Sequence, residues 1–197
     1  MKTILACFFF LFTSLLLVNA ATEGLSPESA RLVAAQIALA KDPSSKSLQR
    51  KYIEAFPATS ASFLAVFMPA NFGPLYAEAN ELVPELGRVG EQFPVEVLRK
   101  CLLIARSLKW DADGVNYLQQ MMLELASKKP NEFSAALASL KNSEQSGALG
   151  FLVSGPHRPS PQFEILITKV RESGDISLAA RLTTIAKRRK SQEPHGH

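Results

Sequence analysis

Two carboxylates two positions apart, beside the chain's one tryptophan, stand out first for their chemistry: Lys109-Trp110-Asp111-Ala112-Asp113-Gly114. Such a pair can share a cation, or one member can act as a general acid with the indole as an apolar wall that favours its neutral form. A hard cation such as calcium wants about six or more oxygen ligands, and no neighbouring Asp-rich loop supplies them. Acid–base work needs a second group from elsewhere. Outside the last residues of the chain that group is His157, in the stretch Ser154-Gly155-Pro156-His157-Arg158-Pro159-Ser160-Pro161, whose prolines stiffen the loop that presents the imidazole. Trp110, Asp111, Asp113 and His157 are therefore the candidate site cluster, for a hydrolase or a metal-dependent reaction.

The same residues have a structural reading, and it explains more of them. Asp111 stands where a helix N-cap should stand, its carboxylate accepting from the Gly114 N–H, and Asp113 falls in the first turn, where the helix dipole favours negative charge. Trp110 precedes the cap, in place to pack on Val115 as a hydrophobic staple. No serine has a nucleophile-elbow setting and there is no glycine-rich phosphate loop. The sequence thus points away from an enzyme: it assigns no catalytic residue, no metal ligand and no cofactor.

The elements that must hold these residues are helices. From Ser26 to Lys190 apolar residues recur at helical spacing, without alternating runs bounded by hairpin turns. Ser26-Pro27 and Ser160-Pro161 are capping residues followed by proline at the first helical position, and Gly174-Asp175 ends one helix and caps the next. The pattern predicts helices over 27–41, 45–56, 60–68, 74–89, 94–109, 112–128, 131–141, 143–153, 161–172 and 176–189, with Pro84 kinking or breaking the fourth. The wide apolar arc of 94–109 makes that helix central. On the helix 161–172, Phe163, Leu166, Ile167 and Val170 share one arc, while Ile165 points elsewhere and calls for contacts on a second side. The expected fold is all-α, a compact bundle of packed helical hairpins. Phe56, Phe93, Phe133 and Phe163, at intervals of 37, 40 and 30 residues, raise a short irregular α-solenoid as the alternative.

The ends bound the rest. Residues 1–20 carry Lys2, an apolar run from Ile4 to Val18, and small residues at Asn19-Ala20, the form of a cleaved secretory signal peptide. The run is shorter than the roughly 20 residues a bilayer core requires, so no stable membrane insertion is expected after cleavage, and the protein is read as periplasmic or extracellular. A single helical domain over 21–186 is expected, followed by a basic, histidine-containing disordered tail over 187–197. With Lys2 gone and the run Lys187-Arg188-Arg189-Lys190 set aside, the 22 basic residues fall to 17 against 18 acidic ones, which leaves no basic face for nucleic acid. His195 and His197 make an incomplete metal site. Cys101, the sole cysteine once Cys7 is removed, shares a stripe with Val97, Ile104 and Leu108 and packs as a small, inert hydrophobe.

Four segments, 53–67 (IEAFPATSASFLAVF), 71–76 (NFGPLY), 109–119 (KWDADGVNYLQ) and 150–161 (GFLVSGPHRPSP), together resemble a family of uncharacterised, mostly helical bacterial proteins that carry Phe-Pro, Pro-Leu-Tyr, Trp-Asp-Ala-Asp and Gly-Pro-His segments in this order. The chain departs from that pattern at Leu152-Val153-Ser154, where the family has bulkier aromatic and acidic residues. The resemblance implies that Trp110, Asp111, Asp113 and His157 meet in space, and it brings no activity with it. The function expected from sequence is an exported, non-enzymatic module that binds another protein; a neutralising partner of a toxin or hydrolase is one specific form of it.

Overall fold

The structure, a computed structural model, describes residues 24–68, 73–155 and 159–191. The fold is all-α: ten helices and no strand are found among the described residues. They are α1 (Pro27–Lys41), α2 (Lys46–Ala55), α3 (Ser60–Phe67), α4 (Ala79–Gly90), α5 (Pro94–Ala105), α6 (Gly114–Lys128), α7 (Pro130–Ala138), α8 (Asn142–Leu152), α9 (Pro161–Glu172) and α10 (Ile176–Lys190).

The chain divides after Phe56 into two units. In the first, α1 packs on α2. The Ser26 hydroxyl caps α1 by accepting from the Ser29 N–H at 3.2 Å, and Leu32, Leu39, Tyr52 and Ile53 are buried. The second unit, from Pro57 onward, holds α3 to α10. Its centre is α5, which packs against α3, α4, α6, α7 and α8. Every turn of α5 supplies that role with apolar side chains: Val97, Leu98, Cys101, Leu102, Ile104 and Ala105 are all fully enclosed. Because α5 touches helices well removed in sequence, this unit is a bundle rather than a solenoid of nearest neighbours. The four phenylalanines that suggested a repeat hold unlike places: Phe56 and Phe93 flank helix ends, while Phe133 and Phe163 lie inside the first turn of α7 and α9.

Local chemistry explains most boundaries. Ser160 accepts from the Phe163 N–H at 3.2 Å and Asp175 from the Leu178 N–H at 3.0 Å, as their residue types require, and Gly174 takes the left-handed conformation with φ 96°. The fourth helix starts later than the expected residue 74. Residues 74–78 form turns instead, with the Tyr76 N–H on the Gly73 carbonyl and the Ala79 N–H on the Tyr76 carbonyl. From Ala79 the helix runs unbroken past Pro84, whose ring removes the amide that would bond the Asn80 carbonyl. At the other end of the chain, α10 runs through Lys190, so residues 187–190 are the last turn of a helix and not the start of a disordered tail. Four cations in a last turn complement the negative end of the helix dipole. The signal-peptide reading of 1–20, and His195 and His197, lie outside the described residues. No helix among the described residues is long and apolar enough to cross a membrane.

Two close approaches set the ends of the helices around Trp110. Gly147 on α8 passes the end of α5 so closely that a β-carbon there would overlap the Arg106 carbonyl oxygen. Gly114 opens α6 against Phe67, whose Cβ would stand 3.1 Å from a β-carbon at 114.

Candidate functional site

The tryptophan and the two aspartates lie in the connection between α5 and α6, and their roles differ from those the residue order suggests. Asp111 does not cap α6. Its Oδ1 accepts from the adjacent Ala112 N–H at 2.8 Å, and its side chain is exposed. The helix begins at Gly114, so Asp113 takes the N-cap place, without a side-chain bond into the first turn. Asp113 has φ 59° and ψ −122°, the one non-glycine residue with positive φ among the described residues, a conformation that crowds Cβ against the backbone. Its carboxylate is occupied instead by Tyr76, whose phenol donates to Oδ2 at 2.6 Å. The anion beside the phenol holds the Tyr76 proton on above its ordinary value of 10.0, the direct hydrogen bond being the larger cause.

The displaced helix start also moves the staple. With Asp113 at the cap, Ala112 stands where a staple residue belongs, and Trp110 is two residues too early for it. The indole lies against Gly155 instead: a methyl group at 155 would stand 3.5 Å from its Nε1. That N–H is buried and has no hydrogen-bond partner among the described residues. Trp110 thus reaches Gly155, two residues before His157 in the chain, while His157 itself is outside the described residues. The structure brings Asp113 to Tyr76 and Trp110 to Gly155. It does not direct the two carboxylates at one point, and no three His, Cys, Asp or Glu side chains among the described residues are grouped to hold a metal ion.

A residue that sequence reasoning passed over holds this region together. Gln119 is buried, 5% exposed, on the core side of α6. Its Nε2 donates to the Phe151 carbonyl at 2.6 Å, which the Ser154 N–H also serves, and to the Ser154 carbonyl at 2.9 Å, beyond the end of α8. One amide side chain therefore pins the end of α8, and the chain leading to Gly155, to α6. The signal available in sequence was an amide one position after Leu118, in a helix whose other inward positions are apolar.

Around this clamp lies a recess of about 310 Å³ bordered by Trp110, Asn116, Gln119, Ser154, Gly155 and Gln162. Further along α6 and α9 is a wider cleft of about 630 Å³, bordered by Leu123, Ser127, Pro130, Gln162 and Ile165. Ile165 is 51% exposed there, against complete burial of its neighbours Phe163 and Leu166 on the core side of α9. Glu124 and Lys128 edge the cleft from α6, and Lys169 and Glu172 edge it from α9. Leu123 and Gln162 border both the recess and the cleft.

Cys101 is apart from all of this. It is fully enclosed on α5, and burial pushes its thiol up to about 12. A thiol so held is neither nucleophile nor metal ligand near neutrality.

Comparison with known proteins finds no matching family model, no matching curated protein and no matching solved structure. The functional reading rests on the chain's own side chains.

Proposed function

We propose that the protein is an exported, non-enzymatic binding module that takes a segment of another protein into the cleft between α6 and α9. The observation that carries this reading is Ile165, half exposed over a cleft of about 630 Å³ that continues an apolar border from Leu123 and Pro130. Isolated surface apolar residues are ordinary, whereas an aliphatic side chain set in a recess with a charged rim has the anatomy of a binding hot spot. The rim alternates in sign along both helices: Glu124 then Lys128 on α6, Lys169 then Glu172 on α9. An amphipathic helix with an aliphatic anchor and charges of both signs beside it is the partner segment that fits. Export rests on the apolar run from Ile4 to Val18 and the small residues before Ala21.

The Asp111–Asp113 pair favours this reading over a hydrolytic one, because one carboxylate accepts from its own turn and the other holds the Tyr76 phenol. A photo-crosslinking residue placed at position 165 captures one defined partner, in one-to-one ratio, and the same residue at exposed position 135 on α7 does not. With the crosslinking residue moved to position 169 on the same cleft, Ile165→Asp abolishes that capture without lowering the thermal midpoint. Equal capture at both positions, or turnover that is lost on Asp111→Asn and Asp113→Asn, overturns the reading.

A further inference from the structure

The basic run at the end of α10 is not a separate feature of the surface. Two depressions, of about 580 Å³ and 480 Å³, meet over Ser146, Gly150 and Arg189, which border both. Arg181 and Arg188 reach the first from α10; Arg106 and Lys109 reach the second from the segment after α5. No acidic residue borders either one. The nearest acid in the network is Glu144, already paired with Arg106 and held well below the usual carboxylate range, chiefly by the Lys141 N–H that donates to its Oε2 at 3.0 Å.

The cations are held in two ways. Arg181 is fixed by donation to the Gln145 Oε1 at 2.6 Å, and Arg106 by Glu144. The heads of Lys109, Arg188 and Arg189 have no hydrogen-bond or ion-pair partner among the described residues, and Arg189 lies across the face of α8 left open by Gly150, 3.9 Å from where a β-carbon would be. Helix dipoles account for the cations ending α10 and for Arg106 at the end of α5, but not for Lys109 and Arg181 sharing their groove. Unlike charges scattered over a convex surface, these converge on a recess, where the field of one adds to that of the next.

We propose that this groove binds a soluble condensed phosphate, with phosphoryl groups seated in the two depressions and bridged over Gly150. Guanidinium groups hold phosphate oxygens through paired N–H donors, and Lys109 supplies a point charge at the far end. The Ser107 hydroxyl borders the groove and can donate to the same oxygens, while those of Ser146 and Thr184 already donate to the Asn142 and Ala180 carbonyls. The concave form favours a small soluble anion over a flat anionic lipid surface, which meets protruding cations best.

Trp110 borders the second depression and is the chain's single tryptophan, so its emission reports on occupancy directly. The test is titration of the full mature chain with inorganic tripolyphosphate, pyrophosphate and orthophosphate at constant ionic strength, followed by Trp110 fluorescence and by calorimetry. Tripolyphosphate is expected to give a saturable change at least about tenfold tighter than orthophosphate, weakening as salt rises. Arg188→Gln with Arg189→Gln weakens it at least about tenfold, Lys109→Gln several-fold, and Arg171→Gln on α9 leaves it unchanged. Circular dichroism and thermal midpoints of each variant separate lost binding from lost folding. Absence of heat and of any saturable change up to millimolar tripolyphosphate overturns the proposal, as does equal binding by the folded double variant. Binding to vesicles rich in phosphatidylglycerol without binding to tripolyphosphate overturns it in favour of a membrane surface.

Discussion

Tyr76 and Asp113, 37 residues apart, are joined by a hydrogen bond of 2.6 Å from the phenol to Oδ2. It ties the turn before α4 to the start of α6, and it places the Asp113 carboxylate outside the helix it was expected to support. The aspartate pair is thereby accounted for by position: one carboxylate on its own turn, the other on a phenol across the fold.

The bond makes the Tyr76 ionisation a reporter of the contact. The folded state holds the phenol proton more tightly than the unfolded chain does, so the stabilisation is complete below the ordinary value of 10.0 and is lost as pH rises beyond it. Asp113→Asn brings the Tyr76 pKa back toward 10.0, which ¹³C-labelled tyrosine NMR during an alkaline titration resolves. At the backbone, Asp113→Ala is expected to be less stable than Asp113→Gly by about 1 kcal/mol, since only glycine accepts φ 59° without crowding. Urea denaturation of the pair measures that difference.

Cys101 gives a second pH dependence with the same sign. Its folded pKa of about 12 lies above that of an unfolded thiol, so stability is unaffected below about pH 8.5 and falls as pH rises from there to 12, by up to about 1.4 kcal/mol per pH unit. Cys101→Ala removes this slope. In the native protein at pH 8 the thiol stays unreactive toward an aromatic disulfide reagent, and it reacts at once in denaturant. Fast labelling of the folded chain is the contrary result.

Gln119 is the most consequential polar residue of the region. Gln119→Leu keeps the volume and strips the Ser154 carbonyl of its donor, while the Phe151 carbonyl keeps the Ser154 N–H at 3.0 Å and hydroxyl at 2.5 Å; an unsatisfied buried acceptor costs about 1–3 kcal/mol. The expected loss in urea denaturation is about 1–3 kcal/mol, accompanied by a shift in Trp110 emission as the segment at Gly155 moves. A loss below about 0.5 kcal/mol with unchanged emission means that the clamp does not hold that segment.

The helices were legible because their signals are local. Ser26, Ser160 and Asp175 announce helix starts through side chains that reach three residues along the same chain, and the apolar arc of α5 announces burial on nearly every side. The roles of Asp111 and Asp113 were not legible, because the competitor for the Asp113 carboxylate is 37 residues away and the start of α6 is set by how closely Gly114 meets Phe67. The basic groove was missed for a related reason. On a helical wheel residues 187–190 point in all directions, but Arg188 and Arg189 meet Arg181, Arg106 and Lys109 only after α10 has docked beside α8. Gln119 was hidden by its type, since an amide on a mostly apolar face takes its meaning from carbonyls more than 30 residues downstream.

The place of α5 has a consequence for synthesis. Three of the helices that cover it, α6, α7 and α8, follow it in the chain, so its greasy surface is not fully covered until residue 152 has been made. A nascent chain halted before that point lacks the part of the cover over the six enclosed side chains of α5 that α8 supplies. Ribosome-bound chains up to that length are expected to recruit holding chaperones.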